Sequence, residues 1–351
     1  VVVEDEEGGI LVDVNGGGLL ECNSIQKLFT AGAALLELGP GHRFRTQVRT
    51  TGDDLVLVAS GDPTLTGDDL AALGAAAARA GIRKVQSVVI DDSRYDRERS
   101  VPGWKDYYMP GFTGPLSAFV LDRNRWRRDD GYVADPVAAN AARVVDALRE
   151  AGVVVESGWR IGGAPRDDAA VVAEHVSAPL ADLVRDMVLA SDTFAAELLT
   201  KELGARQGAG TTAAGLAVIE DVAARLGLPR APGALTADGS GLAAATTDTA
   251  ARQVAWLRAM DESPAADAFR RCLPVAAESG TLAMRFRGTP AAGRVHAKTG
   301  TRRLHGTVNL AGYAATRSGR HLRFAITLTG ADSLADAQAA VDAAVVALAD
   351  Q

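Results

Sequence analysis

Ser24-Ile25-Gln26-Lys27 places a serine three residues ahead of a lysine, at the head of a periodic apolar run. Ile25, Leu28, Phe29, Gly32, Leu35 and Leu36 fall near helical spacing, and Gly39-Pro40 ends the pattern. This predicts a helix from about 24 to 38, with Ser24 and Lys27 on one face of its first turn. A serine hydroxyl attacks poorly until a base removes its proton. A lysine with the usual pKa of about 10.4 cannot be that base at neutral pH. Burial and a nearby second cation both favour the neutral amine. By itself the pair also reads as a capping serine beside a solvated lysine, so its meaning depends on what meets it.

Two later segments follow in order. Ser191-Asp192-Thr193 interrupts a helical pattern that runs over 180–189 and resumes over 194–203. It reads as a short connection between helices, which a capping aspartate explains without any chemistry. Lys298-Thr299-Gly300-Thr301 closes an apolar stretch from Val295 that reads as a strand. Along a strand, Lys298 and Gly300 share one face and Thr299 and Thr301 the other. Glycine lets a ligand approach the backbone, and the lysine and hydroxyls can hold a carboxylate. Main-chain N–H groups of Thr301 and Ser24 are candidate oxyanion donors, each typically worth about 3 kcal/mol. Lys298 is the expected second cation beside Lys27 if this strand closes on the first helix.

Around these segments the chain divides by texture. Strands are predicted at 10–14, 295–298, 307–313 and 322–329, and helices at 213–226, 247–260 and 333–348. Antiparallel strands with a terminal helix, and a helical part between the first strand and the later ones, give an α+β domain over 1–49 and 178–351. Residues 50–177 read instead as a small inserted α/β domain: a strand at 55–59, a helix at 68–80, a strand at 85–90, a helix at 136–151 and a strand at 153–155. Its Gly/Pro-rich loop 102–115 carries Trp104, Tyr107, Tyr108 and Phe112.

The 351 residues, 47% of them hydrophobic, suffice for two domains. A net charge of −7 and the lack of a basic patch argue against nucleic acid as a partner. The four arginines within 123–128 read as a solvated loop. No apolar run approaches the roughly 20 residues needed to span a bilayer. The opening Val1-Val2-Val3-Glu4-Asp5 lacks the features of a leader, so an exported protein would be present here in mature or trimmed form. The five histidines are scattered, with none at i, i+4 beside a carboxylate, so no metal site is expected, and no cofactor is called for. Cys22 and Cys272 are read either as a pair or as buried thiols.

The three segments together match the serine, lysine and cationic-strand set of penicillin-binding proteins and class A β-lactamases. The chain resembles the serine D-alanyl-D-alanine carboxypeptidases and endopeptidases of peptidase family S13, the low-molecular-mass class C penicillin-binding proteins. Ser24 to Thr30, Leu57 to Leu65, Pro115 to Ala118 and Leu121 to Asn124 carry the likeness, with Ala195-Ala196-Glu197, Asp238 to Leu242, Ser279 to Leu282 and Ala297 to Thr301. The separation of Ser24 from Ser191 is far longer than a class A β-lactamase has. The resemblance implies a serine β-lactamase/transpeptidase-like fold with an antiparallel sheet flanked by helices and a helical lobe. It implies that Ser24 is acylated by the penultimate D-alanine of a peptidoglycan stem peptide, and that Lys27 takes the proton. Ser191 would relay it to the leaving D-alanine, and Lys298, Thr299 and Thr301, with Gly300 beneath, would hold the terminal carboxylate. Trp104 and Phe112 are candidate substrate contacts beside ordinary packing. β-Lactam antibiotics would be covalent inhibitors, and the cell envelope or the outside of the cell the place of work. A homodimer is neither required nor excluded.

Three positions depart from the family pattern. Thr193 stands where the family has asparagine, with one donor at shorter reach in place of an amide. Ala243-Ala244 stands where Ser-Arg is usual, which removes an expected cationic contact to substrate. Cys22-Asn23 replaces Pro-Ala before the serine. They leave open a homologue that binds wall peptide or a partner with little turnover, and a penicillin-sensitive esterase or β-lactamase of the same superfamily.

Overall fold

The structure, a computed structural model, describes residues 1–125, 135–163 and 169–351. Arg127 and Arg128 of the arginine-rich loop lie outside the described residues. The chain forms two compact units, Val1–Gly41 with Leu180–Leu203 and Gly215–Gln351, and His42–Pro179 with Gly204–Ala214.

The first unit is built on a five-stranded antiparallel sheet. Its order is Val295–Arg302, Thr307–Ala315, His321–Leu328, Val2–Asp5 and Ile10–Asp13. The N-terminal valines therefore form an inner strand, with Val2 and Val3 buried opposite Ala325 and Phe324. The strand expected at 10–14 is the outer one, and all four residues of Ile10–Asp13 are exposed. A run of three valines followed by two acidic residues offers no alternation by which to tell an inner strand from a loop. One face of the sheet packs on the terminal helix Leu334–Ala349, burying Val295, Ala297, Leu310, Phe324, Val341 and Val345 together. Lys298 and Gly300, of opposite parity to Ala297, belong to the other face.

The helical part of this unit includes Gln26–Glu37, Leu180–Ala190 and Ala250–Asp261, with most of Thr193–Arg206 and of Thr212–Arg225. In Leu180–Ala190 the buried residues Leu180, Leu183, Val184, Met187 and Val188 follow the 3.6-residue period. The Trp256 ring lies 4.7 Å from that of Phe29, and its indole N–H donates to the Leu28 carbonyl at 3.2 Å. These contacts seat the Gln26–Glu37 helix. The short helix Ala266–Cys272 escaped sequence reading because seven residues carry too little periodicity. Cys22 and Cys272 are both free and buried, so of the two readings of the cysteines the thiols hold here.

The second unit has its own five-stranded sheet, in the order Val171–Val176, Arg45–Thr51, Asp54–Val58, Val88–Asp91 and Trp159–Ile161. The last three strands are parallel, and helices Gly67–Arg79 and Pro136–Glu150 connect them. The unit opens at His42 rather than at 50, because Arg45–Thr51 pairs with both Asp54–Val58 and Val171–Val176. The polar alternation of Arg45-Thr46-Gln47 hides that strand in the sequence.

Candidate active site

Ser24 lies in a 3-10 turn, Asn23–Ile25, that leads directly into the Gln26–Glu37 helix. The turn starts from Asn23 with φ of 46°, a left-handed conformation that asparagine adopts more readily than most residues. Lys27 follows one turn later and is fully buried. Its Nζ donates to Ser24 Oγ at 3.1 Å and to the Ser240 carbonyl at 2.7 Å, and lies 3.5 Å from Thr193 Oγ1. Burial pulls the Lys27 amine down to about 8, against the opposing pull of Asp238, Glu197 and Asp192. An amine with that pKa is a competent base near neutrality.

Ser191 and Asp192 form the junction between Leu180–Ala190 and Thr193–Arg206. Ser191 is held at φ 54°, uncommon outside glycine. Asp192 Oδ1 accepts the Ala195 N–H at 3.2 Å, the expected capping contact. Thr193 opens the next helix and points its hydroxyl at Lys27.

The whole of Lys298-Thr299-Gly300-Thr301 lies inside the Val295–Arg302 strand, which continues past the predicted end at 298. Lys298 is fully buried, and its Nζ donates to Ser191 Oγ at 2.9 Å and to the Thr299 carbonyl at 2.8 Å. Burial first and the Lys27 amine second hold Lys298 well below the usual lysine value. A nearby amine disfavours a second charge in the same buried site, which adds to the effect of burial at Lys298. Thr299 donates to Thr281 Oγ1 at 2.8 Å, and Thr301 is exposed. Gly300 is required by close approach: a Cβ there would meet Asn309 Oδ1 at 2.9 Å and Asn23 Cβ at 3.1 Å.

Contacts thus close a triangle: Lys27 reaches Thr193, Lys298 donates to Ser191, and Arg302 at the end of the same strand as Lys298 donates to Asn23 beside Ser24. All of these residues belong to the first unit. Trp104 and Phe112 belong to the second, where each packs edge-on against the buried Tyr108, with ring centroids at 6.4 and 5.8 Å.

Further residues support the triangle. Asp238 is fully buried and accepts the N–H groups of Gly241 at 2.9 Å and Ala243 at 2.6 Å, and the Thr246 hydroxyl at 2.8 Å. This shapes the turn that presents the Ser240 carbonyl to Lys27. Glu197, also fully buried, accepts the N–H groups of Ser240 at 2.8 Å and Gly239 at 3.3 Å, and burial and then Asp238 push its carboxyl up to about 8. Gly241 at φ +74° admits no side chain, since a Cβ would stand 1.6 Å from the Asn23 carbonyl oxygen. Arg302 donates to Asn23 Oδ1 at 2.9 Å. The Asp238 to Leu242 and Ala195 to Glu197 stretches stood out in the sequence only as family matches. Arg302 gave no signal, because its partners are distant in sequence.

An antiparallel sheet flanked by helices that gathers a serine and two buried lysines in this way defines a class, the serine peptidases of transpeptidase-like fold. Penicillin binding protein 4 (dacB) from Haemophilus influenzae has this fold, matching with a TM-score of 0.85 at 22% identity over 95% of this chain and 90% of that one. The same protein complexed with a novel β-lactam matches with a TM-score of 0.79. The model of the D-Ala-D-Ala carboxypeptidase 3 (S13) family matches residues 1–129 and 130–351, and the chain belongs to that family. The D-alanyl-D-alanine carboxypeptidase of Actinomadura sp. (strain R39) is 33% identical over 418 residues, covering 94% of this chain and 77% of that protein. Carboxypeptidase DacB of Mycolicibacterium smegmatis (strain ATCC 700084 / mc(2)155) is 32% identical over 336 residues, covering 86% and 70%.

Proposed function

We propose that this family member is a serine D,D-carboxypeptidase and endopeptidase that cleaves the D-Ala-D-Ala end of peptidoglycan stem peptides through an acyl-enzyme on Ser24. The observation that carries the reading is the buried Lys27 amine, drawn toward its neutral form and 3.1 Å from the Ser24 hydroxyl. Ser24 Oγ attacks the carbonyl of the penultimate D-alanine as Lys27 takes its proton. The oxyanion forms between the N–H groups of Ser24 and Thr301. Lys298, Thr299 and Thr301 hold the terminal carboxylate, with the backbone of Gly300 alongside. An arriving carboxylate favours the charged form of Lys298, and that charge in turn favours neutral Lys27. Substrate binding would then prime the base. The proton returns to the leaving D-alanine nitrogen through Ser191, and water hydrolyses the ester.

β-Lactams would acylate the same serine and leave it slowly. Trp104 and Phe112 are proposed as substrate contacts. Among the described residues no helix is long and apolar enough to cross a membrane. Work outside the cytoplasm, in the cell envelope or beyond, follows from the proposed substrate.

A second reading, a binding protein with little turnover, draws support from the long Lys27–Thr193 contact of 3.5 Å and from Ala243-Ala244. An N-acylated peptide ending in D-Ala-D-Ala separates the two. Time-dependent release of free D-alanine, absent in Ser24→Ala, is expected. Saturable peptide binding without release would favour the binder.

A further inference from the structure

We propose that Arg302 is a positioning residue of acylation, clasping the turn that carries Ser24 to the backbone of Gly241 and Leu242. The inference rests on the reading of Ser24 as nucleophile. Nε of Arg302 donates to Asn23 Oδ1 at 2.9 Å, and Nη2 donates to the carbonyls of Gly241 at 3.2 Å and Leu242 at 2.9 Å. The charge is balanced by Glu21 Oε2 at 3.1 Å from Nε, and the side chain is 11% exposed. One rigid guanidinium thus joins three segments: the end of the Lys298 strand, the residue before Ser24, and the turn that presents the Ser240 carbonyl to Lys27. A planar fork with fixed donor directions suits this task, whereas a lysine offers a single point charge.

Asn23 is gripped from the other side as well. Its Nδ2 donates to Asn309 Oδ1 at 2.7 Å, and Asn309 Nδ2 donates to the Glu21 carbonyl at 3.0 Å and to Thr327 Oγ1 at 2.9 Å. Asn309 stands directly opposite Gly300 in the strand register. The left-handed backbone of Asn23 persists only where its surroundings hold it. Rotation of the Asn23–Ser24 peptide would swing the Ser24 N–H away from the oxyanion position, and Arg302 restrains that rotation. Of the positions that depart from the family pattern, the guanidinium touches Asn23 and ends one residue short of Ala243-Ala244. Asn23 supplies the acceptor, and Arg302 lies along the segment whose own arginine is absent at Ala244.

Rapid-mixing acylation by a fluorescent penicillin tests this. It resolves the reversible dissociation constant from the acylation rate constant, and thermal midpoints are measured alongside. The proteins are the wild-type chain, Arg302→Met, Arg302→Lys, Asn23→Ala and the Asn23→Ala/Arg302→Met pair. The expected result is a fall of about tenfold or more in the acylation rate constant of each single variant, because small misplacements of reacting groups are costly. The dissociation constant should stay within about twofold, the pattern of an interaction felt in the transition state alone. The pair should be little slower than either single variant, since both cut the same link. Arg302→Lys keeps the charge facing Glu21 and serves where Arg302→Met does not fold. A labelled wild type together with a folded Arg302 variant acylated at the wild-type rate would overturn the clasp alone. A wild type that never labels would remove the Ser24 reading and the clasp with it.

Discussion

At the scale of single residues, the site is a problem of two buried amines. Lys27 and Lys298 are both fully enclosed, and burial is the largest cause of the downward shift of each. A base acts when unprotonated, so the second-order rate constant of penicillin acylation, which reports the free enzyme, should rise with pH and level off above the Lys27 value of about 8. A rate flat from pH 6 to 9 would mean that Lys27 does not take the proton. Thr193 is the weakest contact in the set, at 3.5 Å from Lys27 Nζ, beyond the usual hydrogen-bond range. An asparagine amide reaches further and both donates and accepts. Thr193→Asn should therefore speed acylation by about fivefold, the worth of one added hydrogen bond of roughly 1 kcal/mol. An unchanged or slower rate would count against this view of the position.

At the scale of elements, the site is made by the ends of three: a 3-10 turn, a helix junction and an edge strand. Their close approach depends on missing side chains. Gly241→Ala would drive a Cβ into the Asn23 carbonyl oxygen and demand a positive φ of alanine. The expected outcome is a clear fall in thermal midpoint together with near-complete loss of penicillin acylation. Wild-type values for both would show that this contact is looser than described. Ser24, Lys27, Ser191 and Lys298 stood out because three short segments, each weak or ambiguous alone, follow one another in a meaningful order along the chain. Glu197 and Asp238 fell only within stretches that match the family, and Arg302 gave no signal at all; Glu197 and Arg302 act on main-chain groups 43 and 61 positions away, and Asp238 acts by folding its own turn. Elements followed the same rule. The amphipathic helices Gly67–Arg79 and Pro136–Glu150 were readable from periodicity, whereas Val2–Asp5 and Arg45–Thr51 become strands through their partners.

At the scale of the whole molecule, the chain places the expected chemistry in one of two compact units, and that unit also holds both cysteines. Burial raises both thiols well above the ordinary cysteine range, Cys272 to about 12. The folded protein should be inert to a thiol-reactive aromatic disulfide, and both thiols should titrate once it is unfolded in denaturant. Failure to titrate after unfolding would reveal a disulfide and a different packing of the first unit. The central claim is that Ser24, activated by Lys27, is the acylated residue, and intact-mass measurement after exposure to penicillin tests it most directly. One adduct per chain is expected, mapped to the peptide that contains Ser24 and absent from Ser24→Ala and Lys27→Met. An adduct on any other residue, or one that persists in Ser24→Ala, would contradict the mechanism at its root.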